Sequence, residues 1–245
     1  MGARQIGVDE AGRGPVIGPL VVCAMEIPQE DRGILLEIGA DDSKKLSKIR
    51  RGEIYGEIVS NTKSRNWGLG VIICPPKRID SEMPSKSLNS LEVDLFSEAI
   101  ESVGNVAQNP EILLDACDVN AERFGKSVSN KLGPKWSHCV FRSEHRMDSS
   151  DILVGAASVV AKHVRDSEIV KISNRLGMDV GSGYPSDPKT QRAVIELCRG
   201  RNPHDCLRWS WSTVIEAWNG LRSRPMPERF VGPGGSSQSA LDDWN

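Results

Sequence analysis

The chain has 245 residues, with 31 Lys and Arg against 33 Asp and Glu. That balance excludes a globally basic nucleic-acid binder or a polybasic membrane-surface protein, so any anionic partner must be met by a local patch. Six cysteines without a C-x-x-C pair exclude a disulfide scaffold or zinc ribbon and read as reduced, structural thiols. The longest apolar stretch, residues 16–25, is far short of the ~20 residues that span a bilayer. Asp9 and Glu10 arrive before any signal-peptide core can form. The expectation is a soluble, cytoplasmic protein with no membrane partner, monomeric by default.

In chain order, residues 4–9 (RQIGVD), 20–27 (LVVCAMEI) and 67–74 (WGLGVIIC) are short, β-branched runs bracketed by Gly and Pro, which predicts strands with covered faces. Gly14, Pro15, Gly18 and Pro19 between the first two predict a hairpin-like return. Beyond residue 85 the period changes. Leu88, Leu91, Leu95 and Ile100 mark a helix, the run EILLDA a strand, residues 121–132 a second helix, and HCVFRSE at 138–144 another strand. Such alternation predicts parallel crossovers. A long helix follows at about 151–175, and its Gly155, Ala156, Ala157 and Ser158 would let it approach the sheet closely. From residue 177 the chain is shorter-range and helical, and after Arg222 it turns to Pro, Gly and Ser, a linker by composition.

Four acidic residues fall at strand ends or helix starts: Asp9, Glu10, Asp115 and Asp148. A carboxylate closing an apolar strand is costly unless it is exposed in a cleft, paired or bound to metal. A group of them suits a hard, oxygen-preferring ion such as Mg²⁺ or Mn²⁺. Other roles stand beside these. Asp148 opens DSSD and suits a helix N-cap; Asp118 rivals Asp115, although in a loop it more often caps or turns. Asp9 and Glu10, as strand neighbours, point to opposite faces unless the strand bends there. Gly12-Arg13-Gly14 offers close backbone approach to a phosphate or sugar, or simply a turn. Lys44, Lys45, Lys48, Arg50 and Arg51 form a local basic run, either a solvated helix face or a phosphate-binding field. Neither a serine-hydrolase elbow nor a P-loop is present.

Taken together and in order, GVDEAGRGPVIGPLVV, DSKKL, SLNSLE, LLDACDV, AASVVAKHVRD, GSGYPSD and RWSWSTV resemble ribonuclease HII, particularly its archaeal form, over roughly residues 6–220. The resemblance implies an α/β fold: an RNase H-like three-layer α/β/α core over residues 1–176 with a mixed five-stranded sheet. A small C-terminal helical subdomain would follow at 177–222, and a flexible tail at 223–245. It implies catalytic, metal-binding carboxylates at Asp9, Glu10, Asp115 and Asp148, with Asp151 as the fallback for the last. The implied substrates are RNA–DNA hybrids and duplex DNA containing a ribonucleotide, cut on its 5′ side. Gly12, Arg13 and Gly14 match the motif that contacts the 2′-hydroxyl, and Tyr184 the tyrosine that packs on the sugar; that hydroxyl is what marks RNA at a given position. Lys45 and Lys162 match phosphate contacts. Hydrolysis with two Mg²⁺ or Mn²⁺ ions is expected, giving 3′-hydroxyl and 5′-phosphate ends. In the terminal QSALDDWN, Gln238, Leu241 and Trp244 resemble a sliding-clamp-binding peptide that lacks its second aromatic. Two rival classes are a proofreading-type exonuclease, which also uses four carboxylates, and a module that binds hybrids without cutting; mutually repelling carboxylates argue against the latter.

Overall fold

In a computed structural model, which describes residues 2–40 and 46–229, the elements run β1 (Arg4–Ala11), β2 (Leu20–Pro28), α1 (Arg32–Glu37), α2 (Lys48–Arg65), β3 (Gly68–Cys74), α3 (Pro76–Glu82), α4 (Leu88–Val103), β4 (Glu111–Asp115), α5 (Ala121–Leu132), β5 (Phe141–Glu144), α6 (Ile152–Leu176), α7 (Pro188–Leu197) and α8 (Ser212–Leu221). The five strands form one mixed sheet in the order β3-β2-β1-β4-β5. The β1–β2 pair is antiparallel; β1–β4 and β4–β5 are parallel, as the helical crossovers require. The expected α/β fold with a mixed five-stranded sheet is therefore present.

The chain divides into two compact units, each discontinuous in sequence. The first comprises Met1–Ala11, Val21–Ile72 and Asn89–His163. Its core is the central strands with helices on both faces, and alternation along β1 shows which helix takes which face. Gly7 faces α6 so closely that a Cβ there would come within 2.7 Å of the Leu153 side chain and 2.8 Å of its backbone. Ile6, one residue earlier, faces the other way, toward Gly104 just past the end of α4. Close approach of α6 is thus provided by a glycine on the strand. Gly155 on the helix instead makes room for the carbonyls of Ala40 and Asp148. Val8, Val22, Leu114, Leu95 and Val159 are fully buried in this unit, each worth ~1.5–3 kcal/mol in transfer terms.

The second unit comprises Gly12–Leu20, Ile73–Leu88 and Val164–Asn245, so the continuous 177–222 subdomain is not how the contacts divide. The reason is hydrogen bonding by the glycine- and proline-rich loop. Val16 N donates to Gly183 O at 2.8 Å, Gly18 N to Cys206 O at 2.9 Å, and Arg208 N to Val16 O at 2.9 Å. Val16 and Ile17 then enter one apolar cluster with Ile169, Val194, Leu207 and Trp218. The start of the compositional linker packs as well. Met226 lies against this cluster, and Arg229 donates to Asp80 at 2.7 Å and to Leu207 O at 2.8 Å. Asp80 also accepts from the backbone N–H groups of Trp209 and Ser210, both at 2.9 Å. All six cysteines are free thiols. Among the described residues no helix is long and apolar enough to cross a membrane.

Candidate active site

In the first unit, the β1–β4 register pairs Val8 with Leu114, so Asp9 and Asp115 come side by side at the next position. A left-handed Arg146 (φ 60°) then turns the chain after β5 into a single 3₁₀ turn, Met147–Ser149. Met147 N donates to Asp115 Oδ1 at 3.1 Å, which ties that turn to the end of β4 and brings Asp148 in. Carboxylate oxygens of Asp9, Asp115 and Asp148 consequently lie within 4.8 Å of one another, a spacing that one cation can span. Asp9 and Asp148 are buried, only 5% and 3% exposed.

The helix cap is a different residue. Asp151 accepts from Leu153 N at 2.9 Å and Val154 N at 3.2 Å, and pairs with Arg32 at 2.5 Å. Asp148 is therefore relieved of capping, and the competition between ligand and cap is divided between two aspartates. Asp118 is likewise engaged elsewhere: bonds from Arg123 hold its carboxyl down at about 2, and Asn120 N adds a further bond at 3.3 Å. Of the two aspartates in DACDV, Asp115 joins the cluster.

Burial, then the nearby charges of Glu10 and Asp115, push the Asp9 carboxyl well above its usual range; bonds from Ser158 and the Glu10 amide oppose the shift. The Glu10 amide donates to Asp9 Oδ1 at 2.7 Å. Such crowding of buried acids is an electrostatic deficit that a divalent cation offsets, so the donor set fits Mg²⁺ or Mn²⁺. Ser158 also accepts from Lys162 Nζ at 2.7 Å, and that ammonium stands 3.7 Å from Asp148 Oδ2. Neither the Ser158 link to Asp9 nor the Lys162 link to Asp148 is legible in the sequence, because the first depends on α6 lying over β1 and the second on the turn after β5 lying beside α6.

Glu10 is not in the aspartate set. The strand runs straight through Ala11, pairing Glu10 with Val22 and Ala11 with Val21, and alternation carries Glu10 to the α4 face. There its carboxylate lies within 4.8 Å of donor atoms of Glu92 and Cys117. Glu92 is fully buried. Sequence reading passes over it, since a glutamate in an amphipathic helix ordinarily faces water.

In the second unit, Gly12 has φ 93°, and a Cβ there would meet Arg165 Cδ and Pro19 O at 2.8 Å. Tyr184 lies beside Gly14, its Cε1 3.9 Å from where a Cβ would stand. The tyrosine is 40% exposed, and the Arg165 guanidinium sits 4.9 Å from its ring centroid. Its turn is tightly bonded: Ser182 N and Lys189 N donate to Asp187 at 2.6 and 2.9 Å, and Gly183 N donates to Thr190 Oγ1 at 2.9 Å. The arrangement offers a ring and bare backbone side by side. Lys45, Gln238, Leu241 and Trp244 lie outside the described residues.

The family model for ribonuclease HII matches residues 6–214. The ribonuclease HII of Methanocella arvoryzae is 42% identical over 210 residues, 85% of this chain and 88% of that protein. The ribonuclease H2 structure from Pyrococcus horikoshii superposes with a TM-score of 0.78 at 33% identity, covering 90% of this chain and all of that one. A structure of the complex between PCNA and RNase HII from Archaeoglobus fulgidus gives 0.72 at 33% identity, covering 98% of this chain and 100% of that one.

Proposed function

Because the chain belongs to the ribonuclease HII family and is a type 2 ribonuclease H, we propose that it hydrolyses the RNA strand of RNA–DNA hybrids and also cuts duplex DNA on the 5′ side of an embedded ribonucleotide. The observation that carries the reading is the set of three aspartates whose oxygens lie within 4.8 Å of one another, Asp9 and Asp115 toward the ends of the adjacent parallel strands β1 and β4 and Asp148 in the turn after β5.

Asp9, Asp115 and Asp148 would hold divalent cations; Glu10, whose carboxylate lies with Glu92 and Cys117 on the other face of β1, matches the family's ligand set by motif alone. Bound there, Mg²⁺ or Mn²⁺ would supply an activated hydroxide and charge stabilisation for the departing 3′-oxygen, leaving 3′-hydroxyl and 5′-phosphate ends. The protein's own part is positioning. Ser158 and the Glu10 amide orient Asp9, Met147 N orients Asp115, and Lys162 places positive charge beside Asp148 for the scissile phosphate. Lys45 is a second phosphate contact by motif. Gly12, Arg13 and Gly14, which follow Glu10 closely in the chain, meet the ribose 2′-hydroxyl, and Tyr184 packs on the sugar. Support for that role is the adjacency of Gly14 and Tyr184 and the rarity of any other group that distinguishes RNA from DNA. Gln238, Leu241 and Trp244 dock on a sliding clamp, as the complex of the Archaeoglobus fulgidus protein with PCNA suggests.

The test uses three labelled duplexes: all-DNA, DNA with one ribonucleotide, and an RNA–DNA hybrid. Cutting of the last two in Mg²⁺ or Mn²⁺, abolished by EDTA and by Asp9→Asn, is the expected result. Cutting only from a free end would instead indicate an exonuclease.

A further inference from the structure

Arg208, in the RWSW segment, is fully buried, and its guanidinium is spent on the Gly-Arg-Gly loop. Nη2 donates to Gly12 O at 2.6 Å, Nη1 to Arg13 O at 2.9 Å and Nε to Gly18 O at 3.0 Å. Trp211 backs the guanidinium, its ring centroid 5.0 Å from Cζ. The planar fork of arginine can bind several carbonyls at fixed angles; the single ammonium of lysine cannot.

These bonds determine where the neighbouring amides point. Across a planar trans peptide the C=O and the following N–H point to opposite sides, and the described residues contain no cis peptide. With Gly12 O and Arg13 O both turned to Arg208, the N–H groups of Arg13 and Gly14 are turned away from it. Two successive amides turned away from the same guanidinium can serve as a donor pair for one oxygen. We propose that Arg208 is a positioning residue for ribose recognition: it fixes the Gly12–Gly14 backbone so that the Arg13 and Gly14 amides present to the 2′-hydroxyl oxygen. This inference rests on the ribose-reading role proposed for that loop. Arg208 acts from the protein side and touches no substrate, so its effect falls on discrimination between ribose and deoxyribose and leaves metal binding alone.

The experiment compares Arg208→Lys and Arg208→Gln with the parent protein, each first checked by circular dichroism and a cooperative melt. In an Asp9→Asn background that blocks cutting, affinities are measured for a DNA duplex with one ribonucleotide and for its all-DNA counterpart. The parent prefers the ribonucleotide duplex, and the ratio falls about fivefold or more in each variant, as expected where a hydroxyl-binding site is loosened. With Asp9 intact, kcat/KM on the same duplex falls, while Mn²⁺ affinity measured calorimetrically is unchanged. A folded variant that keeps the parent's ratio overturns the proposal, as does failure of both variants to fold, which would make Arg208 a fold determinant. If the parent itself shows no preference, the ribose-reading role fails and this inference falls with it; loss confined to the variants leaves that role standing.

Discussion

At the scale of single residues, the site shows one carboxylate held against its ordinary chemistry and others held firmly in it. Asp9 is buried beside Glu10 and Asp115, and its folded pKa lies above the unfolded one. By linkage, folding bears no ionisation penalty from Asp9 below its unfolded pKa, and the full penalty once the pH has passed the folded value. Asp9→Asn is therefore expected to abolish cleavage and yet raise the melting temperature of the metal-free protein at pH 8, by about 2–4 °C per kcal/mol relieved. A melt in EDTA checks it; a lower melting temperature would contradict it. Asp187 has the opposite sign. Amides of Ser182 and Lys189 hold its carboxyl down at about 2, so its stabilisation is present above the ordinary aspartate value of ~3.9 and is lost as pH falls through about 2. Asp187→Ala should lower the melting temperature at pH 7 and raise KM by loosening the Tyr184 turn, with the stability difference shrinking in acid. Asp151, the true helix cap, separates cap from ligand. Asp151→Ala should cost about 1 kcal/mol in a denaturant titration and retain metal-dependent cutting, whereas Asp148→Asn should lose it.

Elements explain why those residues meet. The parallel register of β1 and β4 aligns Asp9 with Asp115, and the closeness of α6 to β1 brings Ser158 over Asp9. Gly7→Ala should push α6 away, costing about 1–3 kcal/mol as overpacking does and weakening cleavage; denaturant melts and initial rates read both effects. Much of this was legible from residue patterns. The first three strands read as β-branched runs and EILLDA as an apolar one, all close to their observed limits, whereas β5 begins only at Phe141, three residues into the expected 138–144; Asp9 and Asp115 stand out as acids closing apolar strands. Other parts were hidden for physical reasons. The start of α2 looks like a bare basic run because only Ile54 and Ile58 of that helix are buried. Asp148 and Asp151 are interchangeable in sequence until the turn geometry divides their tasks. Glu92 and Arg208 are charged side chains in otherwise ordinary segments, and only long-range packing reveals that both are buried. The linker reading of residues 223–229 fails because composition cannot foresee that Arg229 finds Asp80.

For the molecule as a whole, the chain divides into two discontinuous units, with the aspartate cluster in one and the glycine loop with Tyr184 in the other. Such a division predicts how the chain tolerates shortening. Removing residues 238–245 should spare cutting and abolish capture by a sliding clamp; removing residues 223–245 should also destabilise, since Met226 and Arg229 go with them. Melts, cleavage rates and clamp pull-down on both truncations distinguish these effects. We propose that this protein finds a lone ribose in DNA and hydrolyses the bond on its 5′ side with metal held by the aspartate cluster. The most direct measurement maps the nick at single-nucleotide resolution on an end-labelled duplex with one ribonucleotide, in Mg²⁺ and in EDTA, with Asp148→Asn alongside. One nick 5′ to the ribonucleotide, with a 3′-hydroxyl end, lost in EDTA and in the variant, is the predicted result. An intact duplex, a cut elsewhere, or a variant as active as its parent would contradict it.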